Sequence, residues 1–291
     1  MFIITGQTAT GKTAAALKLA HLHNGELISA DSRQVYRGLD IITGKDKNEV
    51  DVPLHGVDLI DPTQRYSSHE FVEYSTKTIQ NIQERGKTPI VVGGTYLYIK
   101  HLLYGFDVHV APNEPLRKKL ENKSVDELQV LLADLGQKAK NIKPKIKDLN
   151  DSDIMNPRRL VRRIELLTHY IDNPNDGKTL QTHEPLVRCN KTTITGYRYE
   201  NNDLLKKAIE ARVVKRLEQG AVEEVEDLLS HGFKSDDPGM LTIGSAQIIK
   251  LLKGEYSKDQ MQREWTTQEV QYAKRQYTFM KTDPAILWQV V

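Results

Sequence analysis

Gly6, Gly11, Lys12 and Thr13, in the run Gly6-Gln7-Thr8-Ala9-Thr10-Gly11-Lys12-Thr13, have the spacing of a Walker A phosphate loop, G-x-x-x-x-G-K-[ST]. Its glycines let the chain turn tightly, so that backbone N–H groups and the positive end of a helix dipole meet phosphate oxygens. Lys12 supplies a point charge for the terminal phosphates, and the Thr13 hydroxyl is placed to take a magnesium ion. All eight residues from Gly6 to Thr13 are expected to hold a diphosphate or triphosphate, most often ATP in loops of this nucleotide-binding kind.

Asp31, in Ile28-Ser29-Ala30-Asp31-Ser32-Arg33-Gln34-Val35-Tyr36, ends a second apolar run. A carboxylate there can accept a proton from an attacking nucleophile. Asp31 or Ser32 capping a following helix fits the spacing as well. Cations gather in Asn156-Pro157-Arg158-Arg159-Leu160-Val161-Arg162-Arg163, where arginines four apart form a broad basic face. A solvated face paired with acids such as Glu165 reads the same way. Gln271-Tyr272-Ala273-Lys274-Arg275-Gln276-Tyr277 interleaves aromatics and cations, which suits phosphate contact and base stacking or tyrosines packed in a core. Arg212, among Glu210, Lys215 and Arg216, reads as an exposed charge. His21, His23, His55, His69, His101, His109, His169, His183 and His231 show no zinc-binding spacing, and none is assigned a catalytic role.

Positioning these residues calls for an α/β fold, a P-loop NTPase-like parallel sheet flanked by helices. Strands are expected at Phe2 to Thr5, Glu26 to Ala30, Val57 to Ile60, Pro89 to Val92 and Thr192 to Gly196. Gly25 and Gly86 are expected to close helices, the second beginning near Ser68. Gly93-Gly94-Thr95 marks a sharp turn at a strand's carboxyl end, where open sheets place their ligands. Pro112 to about Asn190 is Lys-rich and Leu-spaced, with Asn156 as cap and Pro157 as first residue of one helix and a polar loop around Asn173-Pro174-Asn175-Asp176-Gly177. The expected division is a catalytic core of residues 1–111 and 191–291 and a smaller all-helical insertion of 112–190. Later helices are expected at Leu204 to Gln219, Val222 to Ser230, Ile243 to Leu252 and Lys258 to Met280. There is no internal repeat and no low-complexity segment.

The 291 residues carry a net charge of +2, too mild to announce a nucleic-acid partner globally, so any such partner must be met by local patches. Mean hydropathy is −0.52, with no apolar run long enough for a bilayer, and export is not expected. Cys189 is the only cysteine, which excludes an internal disulfide and a thiolate metal cluster. A cytoplasmic location and no membrane partner are expected, and a monomer.

These blocks together resemble the tRNA dimethylallyltransferase family, also called tRNA isopentenyltransferase. The likeness rests on the phosphate loop, the stretch from Ser29 to Ile41, Val92-Gly93-Gly94-Thr95-Tyr96-Leu97-Tyr98, the arginine run at 156–163, and Ala273-Lys274-Arg275-Gln276, all in matching order. The resemblance implies transfer of a dimethylallyl group from its diphosphate to the exocyclic N6 amine of the adenosine 3′-adjacent to the anticodon. It makes Asp31 the group that orients and deprotonates the amine. Lys12, Thr13 and Arg212, with Mg2+, would stabilise the departing diphosphate. Asp31, Ser32, Arg33, Gln34, Thr95, Arg117, Arg158, Arg159, Leu160, Val161, Arg162, Lys274, Arg275 and Gln276 would meet the tRNA anticodon stem-loop, with the insertion clamping its stem. Departures from the pattern are Gln7 for a proline, Ala208 and Val270 where arginines are usual, and Ile243-Gly244-Ser245 for Ile-Gly-Tyr.

Two rival enzymes share the loop. One is an adenylate isopentenyltransferase acting on free nucleotide, which needs fewer phosphate contacts than these basic blocks offer. The other is a P-loop small-molecule kinase, with Asp58 or Asp61 as its magnesium carboxylate. A nucleotide-dependent switch would need Asn-Lys-x-Asp, and Asn122-Lys123-Ser124-Val125 fails at the last place.

Overall fold

A computed structural model describes residues 1–45, 47, 50–106, 110–139, 151–174 and 192–291. His109, His183, Cys189 and Asn175-Asp176-Gly177 lie outside them. Contacts divide the chain into one unit of Met1–Tyr104 with Pro185–Val291 and another of Gly105–Glu184. These divisions fall several residues ahead of the junctions expected from composition.

The first unit is built on a parallel sheet whose described strands run β3-β2-β4-β1-β5-β6. They are β1 (Phe2–Gly6), β2 (Gly25–Ser29), β3 (Leu54–His55), β4 (Thr88–Val92), β5 (Thr193–Arg198) and β6 (Ile286–Val290). The centre of the sheet is continuously apolar because helices cover both faces. Register pairs Ile4 with Val92 and Ser29 with Val92, so β1, β2 and β4 end side by side. The phosphate loop, Asp31 and Gly93-Gly94 therefore leave the sheet at one edge.

Helix α1 (Lys12–His23) lies on the sheet through Ala16 and Ala20, which pack with Ile4, Leu27, Ile90 and Val92. Asn24, not Gly25, takes the left-handed position that closes it, at φ 49°. Gly25 starts β2 instead, where a Cβ would lie 2.8 Å from the Ile90 side chain. Helix α2 (Asp40–Thr43) follows β2, and α3 (Ser68–Glu84) begins at a Ser67/Glu70 capping box and ends before Gly86 at φ 71°. Helix α4 (Tyr96–Tyr104) follows β4.

Two strands differ from expectation. The third is Leu54–His55, not Val57 to Ile60, because Gly56 and Asp58 at φ 82° and 55° break the extended path. Ile60 contributes only an isolated bridge to Tyr36. Strand β6 has no counterpart in the sequence reading. It is a short edge strand just after Pro284, with Leu287 left exposed.

In the insertion unit the described elements are all helical: α5 (Glu114–Leu120), α6 (Val125–Lys138), α7 (Asp151–Ile154) and α8 (Pro157–Asp172). Leu120, Leu128, Leu160 and Ile164 form its core. Asn156 and Pro157 start α8 as cap and first residue. The remaining helices belong to the first unit: α9 (Asn202–Glu218), α10 (Ala221–Ser230), α11 (Ser245–Leu252) and α12 (Lys258–Met280). They close around Trp265, Ile209 and Val213 against Val35, Leu39 and Ile42, which brings α9 and α12 beside the loops after β1 and β2. Among the described residues no helix is long and apolar enough to cross a membrane.

Candidate active site

Gly6 ends β1 at φ 131°, and a Cβ there would lie 2.1 Å from the Tyr197 carbonyl oxygen. Only glycine fits so close to β5. Gln7, 5% exposed, donates its backbone N–H to that carbonyl at 3.0 Å and accepts the Tyr199 N–H on its side-chain oxygen at 2.9 Å. The Gln7 carbonyl accepts the Thr10 hydroxyl at 2.8 Å and the Lys12 ammonium. Tyr199 donates its hydroxyl to the Ala9 carbonyl, which holds Ala9 at φ 63°. Gln7 thus fastens the loop to the strand beside it, a task proline's ring could not perform by hydrogen bonding.

Gly11, left-handed at φ 76°, starts α1 without a side-chain cap. That leaves the helix's first amides available to an anion. Burial pushes the Lys12 ammonium down to about 7, the Arg212 guanidinium pushes the same way, and the Asp31 carboxylate opposes them. Arg212 also donates to the Thr8 hydroxyl at 3.0 Å. A Cβ on Gly44 would lie 2.8 Å from one Arg212 nitrogen and 2.7 Å from one of Arg216, so the bare glycine admits both guanidiniums. Arg216 pairs with buried Glu269 at 2.7 Å, which also accepts the Trp265 N–H. Arg212, an exposed charge by its neighbours in sequence and a diphosphate ligand by the resemblance, thus faces the loop.

No helix follows Asp31 directly. Its Oδ1 accepts the Arg33 N–H at 2.8 Å in an Asx turn, and α2 begins only at Asp40. The Asp31 charge acts on Lys12, Tyr98 and Tyr272. Gly93 permits the approach of this turn, since a Cβ would lie 2.2 Å from the Ala30 carbonyl oxygen. Thr95 accepts the Ser32 N–H at 3.0 Å on its hydroxyl and donates its own N–H to Ala30. Gln34 accepts from Ser29 at 2.6 Å and donates to Gly44 at 2.9 Å, and Arg33 donates to Pro238. These contacts make Gln34 and Thr95 braces of the Asp31 turn.

Expected RNA contacts divide by exposure. Lys274 and Arg275 are exposed on α12, and Arg158 is exposed on α8. Gln276 is only 7% exposed, with both ends of its amide used inside the site, so it is not offered to an external ligand. Leu160 is fully buried and Val161 packs against the same core, because the two share with Ile164 the inward stripe of α8. Glu165 binds Arg117 at 2.7 and 3.0 Å and Arg162 at 3.2 Å, while Arg159 pairs with Asp153. Burial pushes the Glu165 carboxyl up, but the bonds from Arg117, Asn113 and Arg162 hold it below the usual range.

Sequence reasoning missed Tyr199 as a loop brace and Tyr272 as a site residue. Tyr272 lies one helical turn before Gln276, and burial followed by the Asp31 charge raises its hydroxyl, with Thr95 and Gln276 among the groups that oppose the rise. The i, i+4 spacing of Tyr272 and Gln276 was the available signal. The carboxylates a kinase would need are engaged elsewhere: Asp58 binds Lys45 and Lys47, and Asp61 binds Arg37.

The family model described as IPP transferase matches residues 34–283, and one described as isopentenyl transferase matches residues 1–55. The chain is 34% identical to a tRNA dimethylallyltransferase of Endomicrobium trichonymphae, over 98% of this chain and 93% of that one. It is 36% identical to one of Geobacter metallireducens, over 99% and 91%. The tRNA isopentenylpyrophosphate transferase of Bacillus halodurans superposes with a TM-score of 0.70 at 29% identity, covering 99% of this chain and 89% of that one. A eukaryotic dimethylallyltransferase solved while acting on tRNA gives 0.79 at 25% identity, covering 100% and 73%. Since these matches run through both the phosphate loop and the Asp31 turn, the chain belongs to the tRNA dimethylallyltransferase family.

Proposed function

We propose that this protein transfers the dimethylallyl group of dimethylallyl diphosphate to the exocyclic N6 amine of the adenosine 3′-adjacent to a tRNA anticodon. The observation that carries this reading is geometric: β1 and β2 end on either side of β4, so the phosphate loop and the Asp31 turn leave the sheet at the same edge, where the Asp31 charge also bears on Lys12. An acid and a diphosphate cradle so placed suit attack by an amine on the carbon next to the diphosphate.

The N6–C1 bond forms as the C1–O bond breaks. The proton on N6 passes to the Asp31 carboxylate, and the diphosphate leaves with the bonding electrons. Negative charge grows on the leaving oxygens, where the uncapped amides at the start of α1, Lys12 and Arg212 are held in fixed orientation. Magnesium, when bound with the diphosphate, supplies further positive charge there. The Thr13 hydroxyl suits it as a hard oxygen donor, and among the described residues no group of three His, Cys, Asp or Glu side chains could cage a metal alone.

The adenosine must leave its stack to reach the site. Lys274 and Arg275 on the core, and Arg158 in the insertion, are the exposed cations for phosphate contact, so binding should weaken with salt.

The deciding experiment offers labelled dimethylallyl diphosphate with unmodified tRNA, with AMP and with no acceptor, beside a tube testing phosphate transfer from ATP. Label in tRNA alone is expected. Label in AMP but not tRNA, or phosphate transfer from ATP, rejects the reading.

A further inference from the structure

Gln276 is buried on α12 directly after the exposed cations Lys274 and Arg275. Its Oε1 accepts the Thr8 N–H at 3.0 Å, and its Nε2 donates to the Gly94 carbonyl at 3.1 Å. The two backbone groups belong to different turns, Thr8 to the phosphate loop after β1 and Gly94 to the turn after β4. A primary amide carries an acceptor and a donor on one group, so it can satisfy an N–H and a C=O together. Gly94 leaves the space for it, since a Cβ there would lie 2.2 Å from Nε2.

The adjoining residue extends the connection. Thr95 receives the Ser32 N–H at 3.0 Å and so holds the Asp31 turn. Thr8 is held a second time by Arg212 on its hydroxyl. One amide therefore spans the loop that would hold the diphosphate and the turn that braces the acid.

We propose that Gln276 is a positioning residue for the diphosphate loop, fixing Thr8 against the Gly94 turn so that the loop stays aimed at the leaving group and at a set distance from Asp31. It acts through Thr8 and makes no contact with tRNA, unlike its neighbours Lys274 and Arg275. The inference rests on the reading that the loop takes the prenyl diphosphate.

The test is calorimetric titration with inorganic pyrophosphate and magnesium, together with steady-state kinetics in both substrates and tRNA binding. Gln276→Met keeps the side chain's length and removes both hydrogen bonds. It is expected to weaken pyrophosphate binding about tenfold and raise KM for dimethylallyl diphosphate in step. Its tRNA affinity should stay within about twofold, since no phosphate contact is lost. Gly94→Ala leaves Gln276 in the chain but puts a methyl group where Nε2 lies, and the same loss is expected. Gln276→Glu, which sets a carboxylate against the Gly94 carbonyl, should fare worse than Gln276→Met.

Unchanged pyrophosphate affinity in Gln276→Met and Gly94→Ala overturns the inference while leaving the functional reading intact, provided the unsubstituted chain binds pyrophosphate. A loss that appears in tRNA affinity instead overturns it as well. An unsubstituted chain that holds no pyrophosphate overturns both.

Discussion

Arg212 Nη1 lies 3.0 Å from the Thr8 hydroxyl, joining the middle of α9 to the phosphate loop. Its charge is also one of the influences that push the neighbouring Lys12 ammonium towards its neutral form. Two cations are thus crowded together with Asp31 as the nearby acid, an arrangement that an incoming diphosphate would relieve.

Arg212→Ala should therefore lower kcat/KM by about a hundredfold or more, the scale of one preorganised charge on a leaving group. Affinity for pyrophosphate should fall with it. Affinity for tRNA should not, and a gel-shift titration with an anticodon stem-loop checks this.

Asp31→Asn keeps an oxygen to accept the Arg33 N–H but cannot take a proton. Turnover should drop by about 10²–10⁴-fold while tRNA and pyrophosphate still bind. A variant with the ordinary rate would leave Asp31 only its role in the turn.

Diphosphate binding should depend on pH through Lys12. The free protein holds its ammonium at about 7, and a bound polyanion raises that value. Below about pH 7 the lysine is already charged. Above it, binding must take up a proton, so affinity for pyrophosphate falls as pH rises. Calorimetry at pH 8 in two buffers of different ionisation enthalpy should register the uptake, and Lys12→Arg should remove the lysine's share of it, leaving only the ligand's own proton exchange.

The two loop glycines should fail differently. Gly6→Ala drives a methyl group to 2.1 Å from the Tyr197 oxygen and parts β1 from β5, with an expected loss of more than about 3 kcal/mol. Gly11→Ala meets nothing within 4 Å and strains only φ, at about 1–2 kcal/mol. Thermal melts compare the two.

The sheet and the cradle were legible because their signals are local: eight residues define the loop, and short apolar runs mark β1 and β4, with Leu27 and Ile28 enough to mark β2. β3 was displaced because Val57 to Ile60 looks extended, while Asp58 in fact turns left-handed at φ 55°. β6 escaped notice as an edge strand with one buried residue, Ile286, at its start. Gln276 was read as an RNA contact from its company with Lys274 and Arg275. Its true partners lie 268 and 182 residues away in sequence, beyond any spacing rule. Leu160 was grouped with its arginines for the same reason, although its i, i+4 pairing with Ile164 marks the buried side of α8.

The order of strands bears on how the protein comes off the ribosome. β1 lies at the heart of the ladder, where Phe2 pairs with Ile90 on one flank and with Thr193 on the other. Nearly two-thirds of the polypeptide must emerge before that strand gains its second neighbour. Such long-range closure slows folding and leaves an apolar strand unpaired on one flank until late in synthesis.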